Sequence, residues 1–565
     1  MKPDRKDLTA LAILIVTAVF LWLPRLQGPI DFRWDGGAYY VLGTSLAEGK
    51  GYRLLHEPGE IQSTLHPPML PMIVALHQLA LGSSDPLKVG HILRLFYFVL
   101  FIAYAIAVFY LLRTMLPLAL AFFAALLNLI QLHTIFMSDL CFPELPFGLV
   151  TVLFVLCKFE GGKKKRRLFC APLAVLAYAL RTVGVALLAA WFLESICEGK
   201  FKQAVWRLLI MLIPVIGWFG YIAHIEAGQE YKNPAYEYQR ADYAYINVSY
   251  ARNMKYKDPF RPELGYGSLQ DRVKQFFANL SLMPARLGEA VSLRETIWDL
   301  FRKEFNEWLG HRLLPPLLVP LAVFSLAALI VTGIWLQISA RQYFIPFYTL
   351  ISLVAICATP WPIQFNRYLS PLSPFLSLSL FLTIKAALDK LPKILPEKHR
   401  VIGAFLSSAV VALIFTPQAA TLSLVYSKWH QQAVFRNASG QTVEYRLFFY
   451  DHLYRATDAG LDWLKTRAKD GEVIAASTPP WTYLRTGLKS VFPPLELNAA
   501  KAQRLLDSVP VKYLIVDEWY FNKYTTLVVK TYPELWQRIY TYPDDWEAQE
   551  NGAGKFEIYE RIAKP

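Results

Sequence analysis

The sequence predicts a mainly α-helical, polytopic membrane bundle with amphipathic helices outside it and a small α/β soluble domain at the C-terminal end. Three observations carry that expectation. Hydrophobic residues make up 55% of the 565-residue chain and charged ones only 18%, the balance of a membrane protein and not of several soluble domains. The apolar residues fall into runs of about 20, the length that crosses a bilayer as a helix. Lys and Arg gather in short loops between those runs, so the formal charge of +14 reads as membrane topology and gives no nucleic-acid footprint.

The first run is 8–26. Lys2, Arg5 and Lys6 precede it as in a signal peptide, but Leu23-Pro24-Arg25 offers no small-residue cleavage site, so a retained helix with a cytoplasmic N-terminus is expected. A polar, Gly- and Tyr-rich exterior loop, 31–88, follows. Spans are expected near 89–112, 117–136 and 140–159, the last ending at the basic run GGKKKRR on the inner side. The run 168–196 would, as one helix, centre Arg181 in the bilayer and place GKFKQAVWR outside. Two short tilted helices meeting at Arg181-Thr182-Val183-Gly184 lift the arginine to the outer surface and keep both basic loops inside.

A span at 208–225 leads to a second exterior segment, 226–312, in which DRVKQFFANLSLMPARL has the spacing of a helix lying on the membrane. Spans near 313–336, 343–359 and 371–388, the inner loop KLPKILPEKHR and a last span at 401–420 bring the total to about eleven. The transmembrane part is thus 1–420. From 421 to 565 the composition is that of a soluble domain, expected on the outer face: GLDWLKTRAKD reads as an amphipathic helix, and GEVIAAS, KYLIVDE and FEIYERI read as strands. All five cysteines lie in or beside apolar runs, so neither a disulfide framework nor a CxxC metal site is implied.

The polar groups that can carry chemistry gather at the predicted outer helix ends. Asp31 and Asp35 come just as the chain leaves the bilayer, where a carboxylate ionises in water yet faces a lipid-borne substrate. At the centre of a span an acid costs about 2.5 to 3.5 kcal/mol. Trp34, Tyr39 and Tyr40 offer flat faces with polar tips, suited to the interface and to sugar rings alike. Arg181 and Arg367 are candidates to hold a lipid phosphate, because the guanidinium fork pairs with phosphate oxygens. An arginine snorkelling beside Tyr368, or capping a helix at 181, gives the same pattern. Asp139 and Glu144 can orient an acceptor or hold a cation, or be exposed turn residues. His66 can donate to phosphate, while Pro67, Pro68 and Pro71 fix the returning backbone. No Walker-type GxxxxGK, GxSxG elbow or helical His pair with a suitable acid is present, which argues against ATP-driven transport, serine hydrolysis and a helical zinc site.

At these residues the sequence resembles the GT-C superfamily of membrane glycosyltransferases, in particular the bacterial branch related to protein O-mannosyltransferases and the aminoarabinose transferase. The likeness lies in the order of motifs: Asp35 with Tyr39, SLAEGKGY, HPPMLP, SDLCFPELPF, ALRTVG, and NRYLSPLSP before a late span. It covers residues 8 to about 388. The resemblance implies a sugar donor carried on polyprenyl phosphate, an acceptor hydroxyl on a lipid, glycan or protein, and inverting transfer at the outer face of the plasma (inner) membrane. Asp35 matches the acidic catalytic position, with Arg367, Arg181 and His66 at the donor phosphate and Asp139, Glu144, Asp31 and Tyr39 toward acceptor, sugar or cation. A divalent cation is left open as a cofactor, although Gly36 stands where many relatives carry a second acid. His66 stands where the aminoarabinose transferases have lysine. The competing readings are a flippase for polyprenyl-linked glycans, which predicts polar residues along mid-helix and an internal duplication, and a receptor or scaffold whose soluble domain binds a partner.

Overall fold

The computed structural model describes residues 4–159, 169–310, 314–394, 414–429, 432–519, 521–543 and 555–562. Helix α1 (Arg5–Trp22) begins at an Asp4–Asp7 capping box, and Asp7 also binds Arg113 at 2.7 Å, pinning α1 to the end of α4 (Pro86–Arg113). Residues 31–88, expected as a loop, are about half helical: α2 (Asp35–Ala47) and α3 (Met69–Leu81) pack face to face. The expected span 117–136 is broken. Helices α5 (Leu118–Ile130) and α6 (Leu132–Asp139) meet at 53°. The break is held by Gln131, whose amide donates to Ala290 O and accepts from Thr134 and Ser373. Such partners make non-helical backbone tolerable at membrane depth.

Helix α7 (Glu144–Phe159) follows; the GGKKKRR run lies outside the described residues. The expected pair of short helices is there, α8 (Cys170–Leu180) and α9 (Val185–Cys197), joined by a turn of 3-10 helix at Thr182–Gly184. Then come the peripheral α10 (Phe201–Ala227), the amphipathic α11 (Leu269–Ala290) and α12 (Glu295–Trp308), and α13 (Leu318–Ser339), α14 (Phe344–Cys357) and α15 (Ser373–Ile394). Helix α11 does not lie free on the membrane but packs on α13 through its buried stripe. Among the described residues five helices are long and apolar enough to span, or six with the bent pair, beside four apolar helices of 10–17 residues. The expected total of about eleven counted such short helices as spans. Of the expected last span only 414–420 is described, and it is helical. The chain is a multi-pass membrane protein.

The three segments expected as strands form β3 (Val473–Ala475), β5 (Val511–Asp517) and β7 (Phe556–Arg561) of a sheet ordered β4-β3-β5-β7-β6, with β4 (Ser490–Val491) and β6 (Trp536–Tyr542) at the edges. Strands β3, β4 and β5 run parallel, while β7 is antiparallel to both its neighbours. A separate hairpin pairs β1 (Gln432–Arg436) with β2 (Thr442–Arg446). The expected helix GLDWLKTRAKD lies in α16 (His452–Arg467). This region is docked on the first exterior segment: Ser490 N–H donates to His56 O at 2.8 Å, and Lys489 reaches Glu60 at 2.8 Å. One apolar core runs continuously from α1 to Ile558.

Candidate active site

Asp35 owes its place to the turn before it. Asp31 is tied by its backbone to the α6–α7 junction, with Asp31 N–H on Asp139 O and Cys141 N–H on Asp31 O. Trp34 then adopts φ 54°, a left-handed conformation that costs a residue with a Cβ about 1–3 kcal/mol. Its ring is wedged edge-on against Phe136, Phe142 and Tyr454, and the packing holds the strain. The turn places Asp35 as the first residue of α2. Gly37 follows where a Cβ would come within 3.1 Å of Phe32 O and of Pro480, so the helix start is pressed against the C-terminal region.

Arg367, on the short helix Phe365–Leu369, crosses to Asp35: its Nη1 donates to Asp35 Oδ2 at 2.8 Å and its Nε to Glu144 Oε1 at 2.5 Å. Its guanidinium lies 4.2 Å over Phe142. Arg181, at the α8–α9 break, donates to the same Glu144 oxygen at 2.6 Å. Glu144 is 1% exposed, whereas Asp35, Arg181 and Arg367 are 13–15% exposed. The glutamate therefore sits beneath and holds two arginines that, with Asp35, face outward. Burial alone would raise the Asp35 carboxyl, but the charges of Arg367, His66 and Arg181 outweigh it and hold it below the usual carboxylate range.

The His66 ring lies 4.6 Å from that of Tyr39, tilted by 51°. Burial, reinforced by Arg367 and opposed by Asp35, brings its imidazole down to about 4, so at neutral pH it can serve a phosphate only as a neutral N–H donor. Burial pushes the Tyr39 phenol up, keeping it protonated. Asp35, Tyr39, His66, Arg181 and Arg367 all line one cavity of ≈ 690 Å³. Its long wall is apolar, built by Val215, Trp218, Phe219 and Ile222 of α10.

No protein-family model and no curated protein matches the chain by sequence. Solved structures do match by shape. The apo oligosaccharyltransferase of Archaeoglobus fulgidus aligns over 96% of this chain and 81% of its own, at 12% identity and TM-score 0.55. The same archaeal enzyme in complex with Zn and sulfate aligns over 95% and 72%, at 13% and 0.53. ArnT from Cupriavidus metallidurans bound to undecaprenyl phosphate aligns over 98% of each chain, at 13% and 0.51. The chain has the GT-C fold. Two of the acids read from the sequence lie elsewhere. Asp139 is buried between Arg25 and Arg94, 3.2 Å from each, and accepts from Phe448 N–H at 2.7 Å. Asp31 is bound by Arg33 at 2.5 Å. Neither lines the cavity, because both serve arginines buried at the junction of bundle and C-terminal region, and a buried arginine left unpaired would be costly. The signal was available: Arg25, Arg33 and Arg94 sit in apolar surroundings and each needed an acid.

Among the described residues no three His, Cys, Asp or Glu side chains come together as a metal site. The acids that line the cavity, Asp35 and Glu226, each lie beside an arginine, and Glu144 beneath gives one oxygen to both Arg181 and Arg367, so the residues present do not converge on a divalent cation. The segment 226–312 supplies lining that its amphipathic pattern did not announce: Tyr245, Ser249 and Tyr250 join Tyr368 around the polar end. The tyrosine density of YAYINVSY was the clue. A second cavity of ≈ 270 Å³ is lined by Trp34 and Asn366, the chain neighbours of Asp35 and Arg367, which line the first. Asn366 is held by Glu289 at 3.1 Å.

Proposed function

We propose that the protein is an integral membrane glycosyltransferase that moves a sugar from a polyprenyl-phosphate carrier to an acceptor hydroxyl, on a lipid, glycan or protein, at the outer face of the membrane. The observation that carries this reading is the meeting of Asp35, Arg181 and Arg367, far apart in sequence, at the polar end of a cavity whose length is apolar. Such a cavity suits a phosphate head with a long hydrocarbon tail. The GT-C fold and the undecaprenyl phosphate bound by ArnT lend support.

In the reaction, the Asp35 carboxylate takes the proton of the acceptor O–H. The acceptor oxygen bonds to the anomeric carbon as the bond from that carbon to the phosphate oxygen breaks, and polyprenyl phosphate departs with the electron pair. Arg181 and Arg367 receive the charge that develops on it. A positioned base contributes about 10²- to 10⁴-fold and preorganised charge at the leaving group about 10²- to 10³-fold per donor. In-line displacement with inversion needs the nucleophile opposite the leaving phosphate, and the second cavity, lined by Trp34 next to Asp35, is the approach for the acceptor. No nucleotide enters the scheme. Purified protein should transfer radiolabelled sugar from a polyprenyl carrier, and Asp35→Asn should lower turnover at least about 10²-fold while the protein stays folded. Carrier movement across vesicles without bond cleavage would instead mark a flippase.

A further inference from the structure

The polar end of the larger cavity also says which sugars it can take. Two carboxylates line it, Asp35 and Glu226. Asp35 is bound by Arg367 at 2.8 Å. Glu226, near the end of α10, accepts from Ser249 Oγ at 2.8 Å and lies 3.5 Å from Arg252 Nε. Arg252 itself is anchored to Asp242 at 3.0 Å. Every acid on the wall is therefore matched to a cation. Beside the two arginines and His66, the polar lining is of hydroxyls and aromatic faces, Tyr39, Thr64, Tyr245, Ser249, Tyr250 and Tyr368 among them.

We infer that the donor sugar is an uncharged, hydroxyl-rich one, and that Arg252 excludes amino sugars by keeping Glu226 occupied. This rests on the larger cavity being the donor site. An ammonium group on the sugar finds both carboxylates of the wall already beside arginines, so it gives up hydration with no unpaired anion in return. A carboxylated sugar fares no better. The two arginines are balanced by Asp35 and Glu144, two against two, so the cluster has no net positive charge to offer a second anion beside the lipid phosphate. Neutral hydroxyls pair with tyrosine and serine O–H groups in either sense, and a pyranose face stacks on an aromatic ring. Built this way, the site discriminates mainly by rejection.

The test is a binding comparison on the full-length purified protein, which needs no acceptor. Four synthetic probes share one polyprenyl phosphate: the bare lipid, its glucose ester, its 4-amino-4-deoxypentose ester and its glucuronate ester. The glucose lipid should bind at least about tenfold tighter than the amino-sugar and glucuronate lipids. Arg252→Met should narrow or reverse the gap to the amino-sugar lipid by releasing Glu226, Arg252→Lys should keep the wild-type ratio, and Arg252→Met/Glu226→Gln should cancel the gain. Equal or tighter wild-type binding of the amino-sugar or glucuronate lipid overturns the inference, and so does an unchanged ratio in Arg252→Met. Failure of the bare lipid to bind wild-type protein is a different result, which overturns the donor-site reading itself.

Discussion

The ion pair between Asp35 and Arg367 sets a chemical problem at the scale of single residues. A carboxylate held 2.8 Å from a guanidinium, with its pKa below the usual range, is a poor base until something draws the guanidinium away. The leaving phosphate of the proposed donor is an anion that would do so. Donor binding should therefore raise the Asp35 pKa and switch the base on only when there is a bond to break. The profile of kcat/KM reports the free enzyme and that of kcat the substrate complex. The acid limb of kcat should lie about one pH unit above that of kcat/KM, a shift of about 1.4 kcal/mol between the two states. Coincident limbs would mean that Arg367 stays on Asp35 throughout turnover. At this scale the sequence was partly legible. Asp35 and Arg367 stand out as charges at the ends of apolar runs, and Arg181 as one in the middle of a run. Asp31 and Asp139 stand out equally, yet Asp31 is taken by Arg33 two residues on, and that Asp139 is the acid Arg25 and Arg94 share is fixed by tertiary contacts that no local pattern reports.

At the scale of elements, the two breaks in the bundle differ in how they are written. The α8–α9 break is written locally, by an arginine at the centre of an apolar run and a glycine three residues on. A Cβ on Gly184 would come within 2.6 Å of the backbone of Ala177 and Tyr178, and backbone cannot swing aside as a flexible side chain would. Gly184→Ala should accordingly cost about 1–3 kcal/mol and open the turn that aims Arg181 at Glu144. The expected readout is a lower Tm together with weaker binding of polyprenyl phosphate. An unchanged Tm and affinity would show that the turn gives way without moving the arginine. The α5–α6 break is written at a distance. Gln131 sits in the sequence as an unremarkable polar residue inside an apolar run, and only its bonds to Ala290 and Ser373 make it a corner. A reading of periodicity passes straight over it. The same holds for α2 and α3, whose glycines and prolines suggest a loop although their packing against each other, and that of α2 against the C-terminal region, makes them helical.

For the whole molecule, the composition change near residue 421 marks where the chain leaves the apolar runs, but packing does not stop there. Arg33 donates to Phe449 O at 2.7 Å and Asp139 accepts from Phe448 N–H, so the β-sheet region clamps the turn that sets Asp35. Stability of that region is thereby coupled to the site, and one buried acid gives a handle on it. Asp517 ends β5 at the carboxyl edge of the parallel strands. Burial pushes its carboxyl up to about 7, against a hydrogen bond from Ser477 at 2.8 Å. The unfolded carboxyl titrates near 3.9. The folded state therefore keeps its proton over a range where the unfolded state has lost it, and by linkage the contribution of this group is full below the unfolded value and is lost as pH rises through about 7. The buried histidines His56 and His66 act in the opposite direction, since burial lowers both and folding then gains as pH rises toward about 6.5. The raw Tm profile mixes these terms, so the informative quantity is a difference. Asp517→Asn, which keeps the shape and cannot ionise, should gain on the wild type steadily from pH 4 to 7 and hold a constant advantage above. If the region is clamped to the bundle as described, that gain should also appear as slower loss of the proposed transfer activity on heating at pH 8 than at pH 5, measured as the variant-to-wild-type ratio of half-lives. A gain in Tm without any change in the lifetime of activity would separate the sheet from the site.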